Sequence, residues 1–316
     1  MMFSVTIPAF KSDYLAEAVA SVVGQSYADW ELIVVDDCSP ADLRSILSPW
    51  LDDGRVHYYR NSENCGAIDV VDNWNICLSY CRGDYVICMG DDDRLLPNCL
   101  SDLAEVINRF PGLGAYHIQT ELIDAEGNVI ESCPARPERE SALDMLDRRW
   151  RRDSRQYIGD ICLDVRRLRS AGGYYKLPIA WGSDDITFFR AAVDGIANTQ
   201  RVGFQYRKTD KSLSSNEDFT VKVNAMVLAS DWFGQALDAY KPVSQEERAL
   251  LKGLSSRRET YFRYLCGEYV KTDIGKHPLR LIYWIRHRTD ARLSLGPVCY
   301  LALKGYLRRL LHLDKR

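Results

Sequence analysis

The sequence predicts an α/β fold, with a mostly parallel sheet flanked by helices and a helical, basic C-terminal extension. Short apolar runs alternate with amphipathic stretches through the first third of the chain, which is typical of parallel strands joined by right-handed helical crossovers. The end of the chain has helical periodicity and carries ten Lys/Arg against two acids over residues 276–316, a net charge of +8.

The predicted elements follow one another at short intervals. The run 30–35 is nearly all apolar, which indicates a strand covered on both faces, and the run 14–25 spaces its apolar residues as an amphipathic helix does. The other predicted strands are 3–7, 56–59 and 84–88. The other predicted helices are 41–51, 68–81, one from Pro97 onward, one opening at 186, and the C-terminal segments 221–237, 246–269 and 298–313.

Composition excludes several classes of protein. The formal net charge of the 316 residues is −3, and residues 1–275 carry −11, which does not favour a nucleic-acid binder. The ten cysteines have no CxxC pair or metal-like spacing, which favours a reduced, cytoplasmic compartment. We expect no signal peptide, since the N-terminus enters a strand at once, and no transmembrane helix, since no apolar run reaches about 18 residues.

Acidic residues follow two predicted strands, at Asp36–Asp37 and at Asp91–Asp93. A core cannot hold unpaired carboxylates without a large cost in free energy, so they face water, a cation or a ligand. Ligands of open α/β sheets bind beyond the carboxyl ends of the strands, and hard oxygen ligands suit Mg²⁺ or Mn²⁺ with a diphosphate. The alternative is a solvated acidic turn that caps the next helix.

Glycine-rich phosphate motifs do not follow the first strand. Neither GxGxxG nor GxxxxGK[ST] occurs there, which disfavours a dinucleotide-binding enzyme and a P-loop ATPase. If a nucleotide diphosphate binds, a metal is expected to neutralise its charge.

A second acidic pair, Asp184-Asp185, opens the predicted helix at 186. One acid at such a position can be an ordinary N-cap or first-turn residue. The pair can also supply a general base, because a carboxylate at a helix start can take a proton from a hydroxyl group.

Six segments occur in order and at suitable spacing: Val5–Phe10, Ala20–Tyr27, Glu31–Ser39, Asn64–Gly66, Gly83–Val86, and Asp91–Asp93 with Pro97. Together they resemble the family 2 inverting glycosyltransferases, which have the GT-A fold. The resemblance is close over 3–105 and loose over 106–215. It implies a glycosyltransferase domain at 1–215, with a nucleotide-binding half at 1–105 and an acceptor half at 106–215, followed by a helical region at 216–316.

The resemblance also implies site residues. Asp37 lies at the position of the family's uracil-contacting aspartate, and Asp91 at that of a ribose contact. The implied nucleotide-sugar-binding residues are Pro8, Phe10, Asp36, Asp37, Asn64, Gly66, Asp91 and Arg207. Thr209 stands where many relatives have a histidine, and near it Lys208 or Lys211 could also meet the diphosphate; the alternative is a solvated basic loop.

By the same resemblance, Asp92 is the metal-binding aspartate, with Asp93 as a further ligand of Mn²⁺ or Mg²⁺. The chain departs from the family pattern at Gly90, which takes the place of the first aspartate, so the division of roles among the three acids stays open. The catalytic base corresponds to Asp185, with Asp184 as the alternative.

The leading interpretation is a metal-dependent inverting glycosyltransferase that moves a sugar from a nucleotide-diphospho-sugar, expected to be UDP-linked, to a surface polysaccharide or lipid-linked oligosaccharide. A sugar nucleotidyltransferase and a non-catalytic nucleotide-sugar-binding subunit are the alternatives. The basic amphipathic tail at 276–316 predicts peripheral contact with an anionic membrane on its cytoplasmic face; the alternative is a helix packed on the protein body.

Overall fold

The computed structural model describes residues 1–209 and 218–310, which form two units. The first comprises 1–176 with 183–209 and holds the ten-stranded sheet. The second comprises 177–182 with 218–310 and is helical. The predicted contact of Lys211 with the diphosphate and the end of the predicted tail helix lie outside the described residues.

The strands of the first unit form one sheet in the order β3-β2-β1-β4-β9-β6-β10-β5, with β7 beside β6 and β8 beside β10. Their bounds are β1 (Phe3–Ala9), β2 (Trp30–Asp36), β3 (Val56–Arg60), β4 (Tyr85–Cys88), β5 (Arg94–Leu95), β6 (Ala115–Ile123), β7 (Val129–Ser132), β8 (Arg139–Glu140), β9 (Ile161–Asp164) and β10 (Ile196–Arg207).

The first four of these strands confirm the predicted parallel arrangement. β1 pairs in parallel with β2 and β4, and β2 pairs in parallel with β3. Beyond β4 the sheet is mixed, because β9 runs antiparallel to both β4 and β6 before parallel pairing resumes between β6 and β10. The register sets Ala9 beside Asp36 and Thr6 beside Cys88, so β1, β2 and β4 end at the same edge of the sheet.

Helices cover this sheet through apolar faces. In α1 the inward side chains Leu15, Ala18, Val19 and Val22 are fully buried, as their spacing predicts. Burying one such aliphatic side chain contributes roughly 1.5–3 kcal/mol. The helices of this unit are α1 (Leu15–Val23), α2 (Leu43–Leu47), α3 (Val70–Tyr80), α4 (Cys99–Arg109), α5 (Ala142–Arg151), α6 (Val165–Ser170) and α7 (Ser183–Ala191).

The helix predicted over 41–51 is shorter than expected. It forms as α2 and passes at once into a 3₁₀ turn over Ser48–Trp50. Pro49 has no backbone N–H, so it cannot continue the α-helical hydrogen bonding. The Ser48 hydroxyl instead donates a hydrogen bond of 2.8 Å to the carbonyl of Ser45.

The second unit consists of long helices with a short 3₁₀ turn at Pro178–Ala180. Within it, α11 packs on α9 at very short range, because a Cβ added at Gly305 would lie 2.8 Å from the carbonyl oxygen of Lys271. None of the described helices is long and apolar enough to cross a membrane. The helices are α8 (Phe219–Ala239), α9 (Gln245–Lys276), α10 (Arg280–Arg286) and α11 (Leu295–Leu310).

Candidate active site

The main chain after β1 joins the two acidic segments that follow β4 and β2. The backbone N–H groups of Phe10 and Lys11 donate to Asp91 Oδ2 at 2.9 and 2.7 Å. The carbonyl of Phe10 accepts a hydrogen bond of 2.7 Å from the hydroxyl of Ser39. The predicted meeting of the strand ends is therefore present, and hydrogen bonds hold it together.

Asp36 and Asp37 are adjacent but have different surroundings. Asp36 is fully buried, and its carboxylate accepts hydrogen bonds from the Tyr58 hydroxyl at 2.6 Å and the Ser39 N–H at 2.7 Å, and pairs with Arg60. This environment favours a supporting role for Asp36 over the predicted contact with a nucleotide. Its neighbour is the better placed of the two for ligand contact.

The carboxylate of Asp37 is held through one oxygen. Its Oδ1 accepts from the Asn61 side chain at 2.8 Å and from the Cys65 N–H at 2.9 Å, while Asn64 donates to its carbonyl at 2.6 Å. Burial and a side-chain hydrogen bond to Asp37 raise the pKa of the Cys65 thiol to about 12. Gly66 follows with a φ of +74°, a backbone conformation that favours glycine. The loop thus fixes the orientation of the Asp37 side chain.

Two further predicted donor residues lie at the end of β1. The side chain of Pro8 is half-buried, and the ring of Phe10 is 44% exposed. An aromatic ring left in water directly after a buried strand is a suitable platform for a flat base. Both residues lie at the sheet edge that carries Asp37.

The triplet Asp91–Asp93 is largely buried, and its three carboxyl groups lie close to one another. The ammonium of Lys11 lies 3.2 Å from Asp91 Oδ1 and makes a close ion pair with Asp92 Oδ2. Burial raises the pKa of Asp91, and burial together with the neighbouring carboxylate of Asp92 raises that of Asp93 well above its usual range. The ammonium of Lys11 is thus the cation that the structure places against Asp91 and Asp92.

Gly90 accounts for the tight folding of this segment. A Cβ added at Gly90 would lie 2.9 Å from Asp92 Oδ1 and 2.9 Å from Asp93 Oδ2. Real Cβ atoms essentially never approach so closely, so a side chain there would move both carboxylates. The glycine that departs from the family pattern therefore leaves room for the carboxylates of Asp92 and Asp93 beside the main chain.

Arg207 is almost fully buried and makes all its described contacts with the protein. Its N–H donates to Asp93 Oδ1 at 2.8 Å and its Nε to the carbonyl of Asp92 at 2.8 Å. The two Nη atoms reach the carbonyls of Asp124 and Ala125 and the carboxylate of Glu17. This arrangement favours a supporting role for Arg207 over the predicted contact with a diphosphate. The neighbouring Lys208 side chain is exposed, so it can reach a ligand.

The second acidic pair stands in the first turn of α7, as expected. Asp185 accepts two hydrogen bonds from Arg149, at 3.0 and 3.2 Å, and one from the Gln156 amide at 3.0 Å. A guanidinium fork fixes the orientation of a carboxylate. Burial and the adjacent Asp185 carboxylate raise the pKa of Asp184 to about 8, so at neutral pH Asp184 is a carboxylic acid. The two acids are therefore in different states.

A short series of contacts links the two acidic sites. Arg207, which donates to Asp93, follows Tyr206, and the Tyr206 ring stacks on Tyr157 with a centroid distance of 4.1 Å. Tyr157 in turn follows Gln156, which donates to Asp185. The β4–β5 turn and the start of α7 thus belong to one connected part of the first unit.

A layer of buried charged groups adjoins Asp185. Arg136 donates to the carbonyl of Arg155 at 2.6 Å, and its electrostatic neighbours include Asp160 and Asp185. His117 Nε2 lies 3.6 Å from Asp160 Oδ2, and burial, with Arg136 nearby, lowers the pKa of His117 to about 4. The histidine is therefore neutral at pH 7.

Lys11 and Gln156 are functional candidates that the sequence did not reveal. Each acts through a partner far along the chain, so no local pattern marks it. The described residues contain no group of three or more His, Cys, Asp or Glu side chains arranged to hold a metal ion. The predicted metal ligands Asp92 and Asp93 therefore remain a prediction.

Comparison with known proteins finds relatives of part of the chain. Residues 4–121 match the family described as glycosyl transferase family 2. The chain is 36% identical over 103 residues to the putative colanic acid biosynthesis glycosyl transferase WcaA of Escherichia coli, covering 32% of this chain and 36% of that protein. It is 34% identical over 129 residues to GalNAc(5)-diNAcBac-PP-undecaprenol beta-1,3-glucosyltransferase of Campylobacter jejuni, covering 40% of each.

A putative teichuronic acid biosynthesis glycosyltransferase of Bacillus subtilis, TuaG, is 37% identical over 95 residues, which cover 29% of this chain and 36% of TuaG. These matches span 36–40% of the relatives' own length. Among solved structures, S. aureus TarS 1–349 in complex with UDP-GlcNAc aligns with a TM-score of 0.65 at 15% identity, covering 100% of this chain and 93% of that one. This likeness confirms the predicted GT-A fold, and the family match confirms the predicted resemblance over residues 4–121.

Proposed function

We propose that this chain, which belongs to glycosyl transferase family 2 through residues 4–121, is an inverting glycosyltransferase. It would move a sugar from a UDP-sugar to a hydroxyl group of a surface polysaccharide or lipid-linked oligosaccharide. The observation that carries the proposal is the pair of linked acidic sites, one at the end of β4 and one at the start of α7. Donor binding needs the first, and proton removal needs the second.

The donor nucleotide is assigned to the edge where β1 and β2 end. The carboxylate of Asp37 would accept a hydrogen bond from a uracil N–H, and the exposed Phe10 ring would contact the base or the ribose. Asn64 and Gly66 shape this loop, Pro8 adjoins it, and Asp91 is assigned to the ribose. The UDP-GlcNAc bound by TarS, which has the same fold, supports uridine as the nucleoside.

A divalent cation, Mn²⁺ or Mg²⁺, is assigned to Asp92 and Asp93. Three buried carboxylates beside the single ammonium of Lys11 suit a further cation, since an uncompensated buried charge is costly. When bound, the ion would offset charge on the leaving diphosphate. Asp36 and Arg207 support this region from within the protein.

The base is assigned to Asp185. One carboxylate oxygen would take the proton of the acceptor hydroxyl while the hydroxyl oxygen forms a bond to the anomeric carbon. The bond from that carbon to the diphosphate breaks on the opposite face, so the configuration inverts and UDP leaves. Arg149 and Gln156 orient the carboxylate. Asp184, protonated at neutral pH, is suited to donate a hydrogen bond and not to accept the proton.

The acceptor and the location are inferred from two kinds of support. The relatives' names refer to colanic acid, teichuronic acid and an undecaprenol-linked glycan. In the second unit, large apolar side chains are exposed beside basic ones, at Leu279, Ile282, Leu295, Tyr300 and Leu303. A surface that mixes exposed apolar and basic groups suits an anionic membrane. We therefore assign the protein to the cytoplasmic face of a membrane, held peripherally.

The test is UDP release from a panel of UDP-sugars, measured with and without Mn²⁺ for the wild type and for Asp185→Asn. We expect Mn²⁺-dependent release with one or a few donors and a loss of about 10²–10⁴-fold in Asp185→Asn. The control Asp52→Asn removes an exposed carboxylate and should change nothing.

Three outcomes would contradict parts of this proposal. Undiminished release in Asp185→Asn would remove that residue as the base. Release of pyrophosphate from a nucleoside triphosphate and a sugar phosphate would indicate a nucleotidyltransferase. Tight UDP binding without turnover of any donor or acceptor would indicate a binding subunit.

A further inference from the structure

The second unit contains a cavity of 240 Å³ lined by three arginines together with polar and apolar side chains. Helices α8 and α9 and the turn before α11 form its wall. Its charged lining consists of Arg258, Arg263 and Arg292 against Glu259, a net charge of +2. The cavity is smaller than the roughly 300–1,000 Å³ typical of drug-sized ligands, so its size suits a compact group.

Arg258 crosses from α9 to α8 through a gap that only glycine provides. A Cβ added at Gly234 would lie 1.7 Å from Arg258 Nη1. That nitrogen donates to the carbonyl of Ser230 at 3.1 Å, while the Nε atom is buried and has no hydrogen-bond partner anywhere in the described chain. A buried N–H without an acceptor is costly, so the Nε–H of Arg258 is suited to donate to an oxygen of a bound group.

Arg292 approaches the same place from the other side. Its backbone has a φ of +54°, a conformation that is strained for a residue other than glycine. Its guanidinium donates to the Ser230 hydroxyl at 3.4 Å and pairs with Asp231. Together with Arg258 and the exposed Arg263, it is one of three arginines that line this small cavity.

We propose that this cavity binds a phosphate group, whose oxygens Arg258, Arg263 and Arg292 hold. Guanidinium groups present planar, paired donors that match phosphate oxygens. The same chemistry can come from a soluble phosphate or from a lipid headgroup. The inference is independent of the proposed transferase activity, because its residues belong to the second unit and its readout is binding.

The experiment is calorimetric titration of the full chain with inorganic phosphate. We expect saturation at one site per chain and an affinity that falls about tenfold or more in Arg263→Ala, since a charged hydrogen bond is worth that much. The matched control is Arg248→Ala, an exposed arginine on the same helix, which should bind as the wild type does. Arg258→Lys keeps the charge but loses the fork, and should also weaken binding.

A donor-site variant separates this site from the proposed active site. Phosphate binding that persists in Asp37→Asn and falls in Arg263→Ala supports the cavity. Binding that falls in Asp37→Asn and is equal in Arg263→Ala and Arg248→Ala overturns the proposal, as does the lack of any saturable binding. Circular dichroism melting of each variant checks that the fold is intact.

Vesicles distinguish the two sources of phosphate. If the ligand is a lipid headgroup, Arg263→Ala sediments less than Arg248→Ala with vesicles of phosphatidylcholine and phosphatidylglycerol, and neither binds phosphatidylcholine alone. If the ligand is soluble, the two variants sediment equally and still differ in phosphate affinity.

Discussion

The two acidic sites of the first unit contain the same residue type in adjacent positions, yet their charges are handled differently. Asp91 accepts from two backbone N–H groups, and the ammonium of Lys11 pairs with both Asp91 and Asp92. Asp185 meets a guanidinium fork and an amide, while Asp184 keeps its proton. Environments that move neighbouring carboxyl groups into different states also assign them different chemical roles.

The kind of cation matters in this comparison. An ammonium on a flexible stem makes a compact, movable charge, whereas a guanidinium holds a carboxylate in a fixed plane. Lys11 is thus suited to a site whose occupant changes during a reaction cycle. Arg149 is suited to a carboxylate that must keep one orientation.

Among the substitutions that test the difference between the two acidic sites, Asp92→Asn is expected to reduce activity most. If Asp92 holds the divalent ion, charge compensation worth several kcal/mol is lost, and Mn²⁺-dependent UDP release should fall by about 10²-fold or more. The measurement is the initial rate across a Mn²⁺ titration. A variant with wild-type rate and wild-type Mn²⁺ dependence would refute the assignment of the ion to this residue.

A smaller effect is expected from Arg149→Lys. The substitution keeps the positive charge near Asp185 but loses the fork, so kcat should fall about tenfold while the KM for the donor stays unchanged. Steady-state kinetics over donor and acceptor concentrations give the two constants. Arg151→Lys, on the exposed side of the same helix, is the control. A change in donor KM with kcat intact would place Arg149 in donor binding instead.

Lys11→Met should strengthen the binding of Mn²⁺ at Asp91–Asp93, whereas Asp92→Asn should weaken it. Removing the ammonium leaves Asp91 and Asp92 without its charge, so Mn²⁺ should bind several-fold more tightly. Titration calorimetry with Mn²⁺ alone measures this without turnover. Weaker Mn²⁺ binding in the variant would mean that the lysine supports the ion and does not compete with it.

The smallest effect concerns stability and pH at the second site. The pKa of Asp184 is raised from 3.8 to about 8, so between these values the folded protein holds one proton more than the unfolded chain. Stability from this group is therefore present at low pH and is lost as the pH rises toward 8. Because Asp184 is only half-buried, we expect about 1 kcal/mol.

Asp184→Asn removes the titrating carboxyl group, so the folding stability of this variant should fall less as the pH rises. Chemical denaturation from pH 5 to pH 9 should show the variant gaining on the wild type as the pH rises. Parallel stability curves for the two proteins would show that Asp184 keeps an ordinary pKa.

Much of the first half of the fold could be predicted from sequence. The alternation of β and α elements gave β1 to β4 and their shared carboxyl edge, and strand ends located the acids. The later helices could also be predicted, but the strand pairing beyond β4 could not be inferred, because β9 is four residues long and enters antiparallel between two strands. Nothing in a run of that length specifies its partners.

For the candidate site, sequence located the acidic residues but not their surroundings. The sequence alone does not distinguish Asp36 from Asp37. In the structure, Tyr58 and Arg60 on the neighbouring strand bond the carboxylate of Asp36. Lys11 likewise shows its role only through a partner some 80 residues away. Such pairings depend on tertiary structure, which local propensity does not encode.

The contacts of Arg207 bear on how enzymes of this kind can diversify. Its guanidinium reaches across to the segment after β6 by bonding only the main-chain carbonyls of Asp124 and Ala125. Carbonyls are present whatever side chains evolution places there, so that segment can change its sequence without losing this anchor. Glu17, the side-chain partner, lies in the N-terminal half. Exchange of the segment after β6 between homologous proteins would therefore leave the anchor of the acidic turn in place.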